Sequence, residues 1–202
     1  MVAYRILNAE PEGYSVEAMA VLQDLGKVDA RPLNRAELLA VLPEYDVLIV
    51  RLGLQVDREM LQRGRRLKAV VSATTGLDHI DLNAARELGV EVLSLRGEVD
   101  FLRSIPATAE MTWALLLALV RRIPAASRSV LAGEWERDRF RGHDLSGKRL
   151  GILGLGRVGS MVARYGLVFN MRVAAFDPHP QSWVEGVERL PAMDDLLARS
   201  QV

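Results

Sequence analysis

The sequence predicts an α/β fold in which parallel strands are covered by helices, arranged in two lobes. Three observations carry that expectation. The runs DVLIV (46–50) and KAVVS (68–72) have the continuous apolar, β-branched character of strands buried on both faces. Helix signals alternate with strand signals through the first hundred residues, a rhythm that belongs to parallel sheets. A second layer opens at LGILGLGRVGSMVARYG (150–166), which reads as a strand, a glycine turn and a helix.

The elements follow in order. Residues 4–7 form a short apolar run, Ser15 caps a helix that ends at Gly26, and residues 28–30 are briefly extended. Asn34 with Glu37 three residues on forms a capping box for a helix to about Leu42. After the strand at 46–50, Asp57 starts a helix that Gly64 stops. The strand at 68–72 leads to a helix capped by Asp81 and ended by Gly89, and residues 90–93 are again a strand. Residues 94–105 (SLRGEVDFLRSI) are mixed and polar, and read as a crossover between lobes. Pro106 suits the first turn of a helix, and residues 107–122 are so apolar that this helix is expected to be buried on most sides. Residues 124–141 read as a helix followed by an exposed arm. Ser146-Gly147-Lys148 then turns the chain into the strand at 149–153.

Composition narrows the function. Lys+Arg and Asp+Glu are both 26, so no net field favours DNA, RNA or an anionic membrane as partner. Local arginine runs such as 137–141 are interleaved with acids and read as solvated. The absence of cysteine removes disulfides, thiolate catalysis and Cys-ligated metals, and no metal site is expected. The opening MVAYRILNAE lacks the apolar core of a signal peptide. The most apolar run, 111–120, falls well short of the roughly 20 residues that cross a bilayer. A cytoplasmic protein is the expectation.

The glycine turn carries the chemistry. A dinucleotide pyrophosphate needs backbone N–H groups at a helix N-terminus, approached without a side chain in the way. Gly154 would make the tight turn out of the strand, Gly156 would let the phosphates come close, and Gly159 would let the helix pack on the sheet. Arg157 and Val158 would offer their amides. Val158, Val162, Tyr165 and Phe169 mark one apolar face of that helix. The next strand, 172–176, ends in Asp177, 21 residues beyond Gly156. An acid at that offset accepts hydrogen bonds from the adenosine ribose hydroxyls and repels a 2′-phosphate, which favours NAD over NADP. Glycine-rich turns also serve flavin and methyl-donor sites, so the turn alone leaves those alternatives open.

Beyond these features the chain resembles the D-isomer-specific 2-hydroxyacid dehydrogenases over nearly all its length. The matching stretches are KAVVSATTGLDHIDL (68–82), ATAEMTWALLLALVRRIP (107–124), AGEWERDRF (132–140), LSGKRLGILGLGRVG (145–159) and MDDLLARS (193–200). The resemblance implies a flavodoxin-like substrate-binding lobe, residues 1–98, and a Rossmann NAD-binding lobe, residues 99–202, with the active site in the cleft. Both lobes are expected to be incomplete, the first lacking a returning C-terminal segment. The resemblance also implies NAD-dependent interconversion of a 2-keto acid and a D-2-hydroxy acid, and a homodimer of the full-length form built by the long helix and the arm. The backbone amides of Thr75, Gly76 and Leu77 would hold the substrate carboxylate.

Two departures stand out. Where many members carry Asn near the nicotinamide and substrate, this chain has Ser104, which reaches less far. The catalytic Arg, its acidic partner and the proton-exchanging His of the family are expected beyond residue 202, so no catalytic residue is assigned within the chain. His79, His143 and His179 are read as solvated or structural. Met1 opens the sequence, so the missing part is expected to be C-terminal and the chain inactive alone. The alternative is a non-catalytic NAD-binding regulatory module resembling the C-terminal-binding-protein corepressors.

Overall fold

Short apolar runs become parallel strands in the first half of the chain because a capped helix after each of the first four carries the chain back to the same end of the sheet. The computed structural model describes residues 4–180 and 182–202. It divides into two units, Met1–Leu102 and Arg103–Val202, with the division falling inside a short helix.

The first unit runs β1 (Tyr4–Asn8), α1 (Val16–Leu25), β2 (Gly26–Ala30), α2 (Arg35–Val41), β3 (Val47–Val50), α3 (Arg58–Arg63), β4 (Ala69–Ser72), α4 (Leu82–Glu87), β5 (Glu91–Ser94) and α5 (Val99–Arg103). All pairings are parallel, in the order β2-β1-β3-β4-β5. That is the flavodoxin-like order, and its direction reverses between β1 and β3. The helices start where the sequence predicts. Asn34 and Glu37 close a capping box, Asp57 accepts from the Met60 amide at 3.0 Å, and Asp81 accepts from the Ala84 amide at 2.8 Å. Each such cap stabilises a helix by about 1 kcal/mol. Leu7, Leu48, Val50 and Val70 from the strands meet Leu38, Met60 and Ala84 from the helices in one apolar core.

The segment 94–105, read as a crossover with no element assigned to it, carries α5 in its middle. Val99, Phe101 and Leu102 are interleaved with charges, and a single turn buries only Leu102, so no helical period is visible over so short a span.

The second unit runs α6 (Ala107–Val120), α7 (Ile123–Leu131), an arm with a 3-10 turn at Asp138–Phe140, β6 (Arg149–Leu153), α8 (Arg157–Val168), β7 (Arg172–Phe176), β8 (Glu188–Arg189) and α9 (Met193–Arg199). Its strands pair in parallel in the order β6-β7-β8. On the other edge of β6, the Gly151 amide donates to Val202 at 2.9 Å and the Val202 amide donates to Arg149 at 3.2 Å. The last residues therefore continue the sheet in parallel on the far side of β6, and strand order reverses there too. Trp113 of α6 stacks on Phe169 at 4.7 Å and donates its indole N–H to the Val162 carbonyl at 3.3 Å.

Two expectations for this unit are corrected. The face of α8 turned to the sheet is centred on the small residues Ala163 and Gly166, where a side chain larger than hydrogen at 166 would strike Leu150 and Val173. Val162 and Tyr165 flank it, while Phe169 lies beyond the helix against Trp113. Helix α6 is not buried on most sides. Only Ala109 and Trp113 are buried, and Met111, Leu115 and Leu119 stand 58%, 64% and 75% exposed at a spacing of four. Helix α6 packs mainly on α8, and among the described residues of this unit nothing covers the opposite stripe.

No helix among the described residues is long and apolar enough to cross a membrane. No cluster of His, Cys, Asp or Glu among them could hold a metal ion.

Candidate functional site

In the second unit the strand–turn–helix passage builds a polar notch from backbone. Gly154 takes φ +89°, a left-handed conformation that L side chains rarely adopt, and its amide donates to Phe176 at 2.8 Å. Gly156 opens α8 without any side-chain cap. The first amides of a helix have no acceptor within it, so this end presents partial positive charge. A Cβ at Gly156 would meet nothing within 4 Å, which leaves the mouth of the turn clear. A Cβ at Gly159 would press on the Gly154 carbonyl oxygen, so the helix start and the turn touch backbone to backbone. Gly154, Gly156, Arg157, Val158 and Gly159 line one cleft of about 590 Å³.

Asp177 does not line that cleft but is bound to the same turn. Its carboxylate accepts from the Leu155 amide at 2.7 Å and from the His179 amide at 2.8 Å. Leu155 is pinned a second time, since Ser160 donates its hydroxyl to the Leu155 carbonyl at 2.9 Å. The His179 amide, then the Leu155 amide, hold the Asp177 carboxyl below the usual carboxylate range. A carboxylate has about four acceptor positions, and these amides use two. Space at the turn and acceptors at Asp177 therefore suit a ligand with a diphosphate next to a sugar bearing hydroxyls. The Arg157 guanidinium does not point to such a role. It donates to the Ile105 carbonyl at 3.1 Å and ties α8 to the segment before α6.

In the first unit, β4 runs into the loop Thr75–Gly76–Leu77. Thr75 and Gly76 are exposed, and the Leu77 side chain is in the core. Among the described residues the amides of all three find no acceptor. Successive backbone donors left over on an exposed loop are the kind of group that can receive an anion. Thr75 and Gly76, but not Leu77, line a hollow of about 560 Å³ with Thr74, Asp78 and His79. His79 is buried rather than solvated, with its Nε2 3.2 Å from the Ser72 hydroxyl oxygen. His143 and His179 are exposed. Ser104 lies in the second unit, just after α5, and is exposed.

Sequence reasoning missed four contributors. Leu155 joins the turn to Asp177 through its backbone, which no residue type signals. Ser72 and Thr74 engage the loop through hydroxyls that look ordinary at a strand end. Glu10, after β1, accepts from the Arg51 and Gly53 amides at 2.6 and 2.8 Å and ties together the loops where strand order reverses.

Known proteins share this fold and sequence. Residues 10–156 match the family model described as D-isomer specific 2-hydroxyacid dehydrogenase, catalytic domain, and residues 113–202 match its NAD binding domain. A D-3-phosphoglycerate dehydrogenase of Methanocaldococcus jannaschii is 37% identical over 91% of this chain and 35% of its own length. A hydroxypyruvate reductase of Thermotoga maritima is 35% identical over 88% of this chain and 56% of its own. Among solved structures, the D-lactate dehydrogenase of Aquifex aeolicus, complexed with NAD and lactic acid, superimposes with a TM-score of 0.81. It is 26% identical over 97% of this chain and 58% of that one. The chain thus spans between about a third and somewhat over half the length of the curated relatives it matches. With both family models matched in order along one polypeptide, the chain belongs to the D-isomer specific 2-hydroxyacid dehydrogenase family.

Proposed function

We propose that the chain carries the cofactor-binding and carboxylate-binding parts of a dehydrogenase that interconverts a 2-keto acid and a D-2-hydroxy acid with NAD. The observation that carries this reading is the Asp177–Leu155 link, which joins an acid at the end of β7 to the open glycine turn at the end of β6. In this reading Gly154, Gly156 and Gly159 shape the notch, and the amides opening α8 at Arg157 and Val158 hold the pyrophosphate. Asp177 accepts from the adenosine ribose. The amides of Thr75, Gly76 and Leu77 hold the substrate carboxylate, and Ser104 hydrogen-bonds near the reacting end of the substrate. Bound NAD would supply the hydride acceptor or, reduced, the hydride.

Turnover also needs a cation at the carbonyl and a proton donor. His79 is engaged with Ser72, and His143 and His179 are exposed surface groups, so none is placed as that donor. We therefore expect residues 1–202 to bind NAD(H), seen as enhanced NADH fluorescence, and not to oxidise it with glyoxylate, pyruvate or hydroxypyruvate. Clear turnover would overturn the assignment of the catalytic groups to residues outside this chain. Absence of any NADH binding would overturn the cofactor reading itself.

A cytoplasmic homodimer completes the proposal. The stripe Met111, Leu115 and Leu119 on α6 is the kind of apolar surface that a second copy covers, and Trp135 of the arm is likewise 87% exposed. Leu115→Glu would place a charge in the middle of that surface. In sedimentation velocity the unaltered chain should run as a dimer and the variant as a monomer with unchanged helix content. A monomer in both cases would remove this part of the proposal.

A further inference from the structure

The carboxylate loop is held by three polar side chains whose hydrogen bonds run in one direction only. The Gly76 carbonyl can only accept, so the Thr74 hydroxyl, 2.8 Å away, donates to it. With its single hydrogen used, Thr74 must accept in its 2.9 Å contact with Ser72. Ser72 therefore donates to Thr74, and its oxygen is left to accept from His79 Nε2 at 3.2 Å. The imidazole must then carry its hydrogen on Nε2. Ser72 and His79 are both buried, 1% and 5% exposed, so water does not substitute for either partner. The backbone of His79 is anchored separately, its carbonyl accepting from the Val56 amide at 2.7 Å.

This chain of bonds ends on the peptide that matters. A trans peptide is planar, so the Gly76 carbonyl and the Leu77 amide point in opposite directions. Holding the carbonyl toward Thr74 turns the Leu77 N–H the other way, and that amide, like those of Thr75 and Gly76, has no acceptor among the described residues. Gly76 is exposed, and glycine leaves its own torsions free to rotate that plane. Something has to lock it.

We propose that His79, Ser72 and Thr74 form a one-way hydrogen-bond relay that locks the Gly76–Leu77 peptide plane and so positions the amide cradle for a substrate carboxylate. His79 is thus a positioning residue, with no part in proton exchange. The inference rests on the carboxylate reading of the Thr75–Leu77 loop.

The test uses the full chain, labelled with nitrogen-15 and titrated with oxamate, an unreactive 2-keto acid analogue. In the unaltered protein the His79 ring should show its hydrogen on Nε2, and oxamate should shift the amides of residues 75–77. Thr74→Val and His79→Leu should each weaken oxamate about tenfold, the usual effect of one buried hydrogen bond. His79→Gln, whose side-chain amide keeps a donor at similar reach, should restore affinity to within about threefold, which a purely space-filling role would not do. Thr74 is partly exposed and Val matches its volume, so that variant stays folded even if His79→Leu does not. Unchanged oxamate affinity in Thr74→Val, or a ring hydrogen found on Nδ1, would overturn the relay and leave the cradle standing. No oxamate response in the unaltered chain would instead overturn the cradle reading, and the positioning role with it.

Discussion

Asp177→Asn is expected to weaken NAD binding about ten- to a hundredfold while changing NADP binding only a few fold, measured by calorimetry on the full chain. The range follows from losing hydrogen bonds to a charged acceptor. Both carboxylate oxygens already take one backbone amide, from Leu155 at 2.7 Å and His179 at 2.8 Å. Asn keeps one acceptor oxygen and replaces the other with an N–H₂ group. It therefore loses an amide partner and the acceptors left over for a ribose. It also loses the negative charge that opposes a 2′-phosphate, and that loss offsets the damage for NADP alone. Equal weakening for both cofactors would mean that Asp177 serves only to hold the turn.

The acid range gives an independent check. The amides of His179 and Leu155 lower the Asp177 carboxyl from its ordinary value. A lowered carboxyl contributes stability that is present above the unfolded value near pH 4 and is lost as pH falls through the lower folded value. NAD affinity should accordingly stay flat from about pH 8 to about pH 5 and fall only in stronger acid. In Asp177→Asn the part of the acid dependence due to this group should be gone.

What the sequence made legible is what short-range chemistry decides. Asn34, Asp57 and Asp81 begin their helices because a side-chain oxygen three residues ahead of an amide is a local geometry. The strands are recognisable because a sheet covered on both faces tolerates little but apolar residues. Other features depend on distant parts of the chain. The exposed stripe of α6 has the same composition whether another element of this chain or a second molecule covers it, so residue type could not decide between them. The ring of His79 meets Ser72 only because the chain turns back after β4, and a histidine beside glycine and aspartate looks like surface. The offset of Asp177 from the glycines indicated reach, but its bond to the Leu155 backbone has no side-chain signature at all.

The glycines of the turn look equivalent in the sequence and should separate cleanly on substitution. Gly159→Ala is expected to destabilise the protein by about 1–3 kcal/mol, the usual penalty for forcing atoms into filled space. The added carbon would be driven against the Gly154 carbonyl oxygen and close to the Ile152 side chain, and backbone cannot swing aside as a flexible side chain can. Relief requires α8 to tilt away from β6, which also moves the amides at its start. Thermal stability and NAD affinity should therefore fall together. Gly156→Ala should behave differently. Its φ is −73°, ordinary for any residue, and its Cβ meets nothing within 4 Å, so melting should change by no more than about 0.5 kcal/mol. Yet that carbon would stand at the uncovered mouth of the helix, where a pyrophosphate must approach the amides. NAD affinity should fall at least about tenfold, as for a lost charged hydrogen bond. If Gly156→Ala binds NAD as well as the unaltered chain while Gly159→Ala loses stability, the turn is a packing device and the phosphates lie elsewhere. If Gly156→Ala instead melts early, the open space at that position is filled in solution and the notch has another shape.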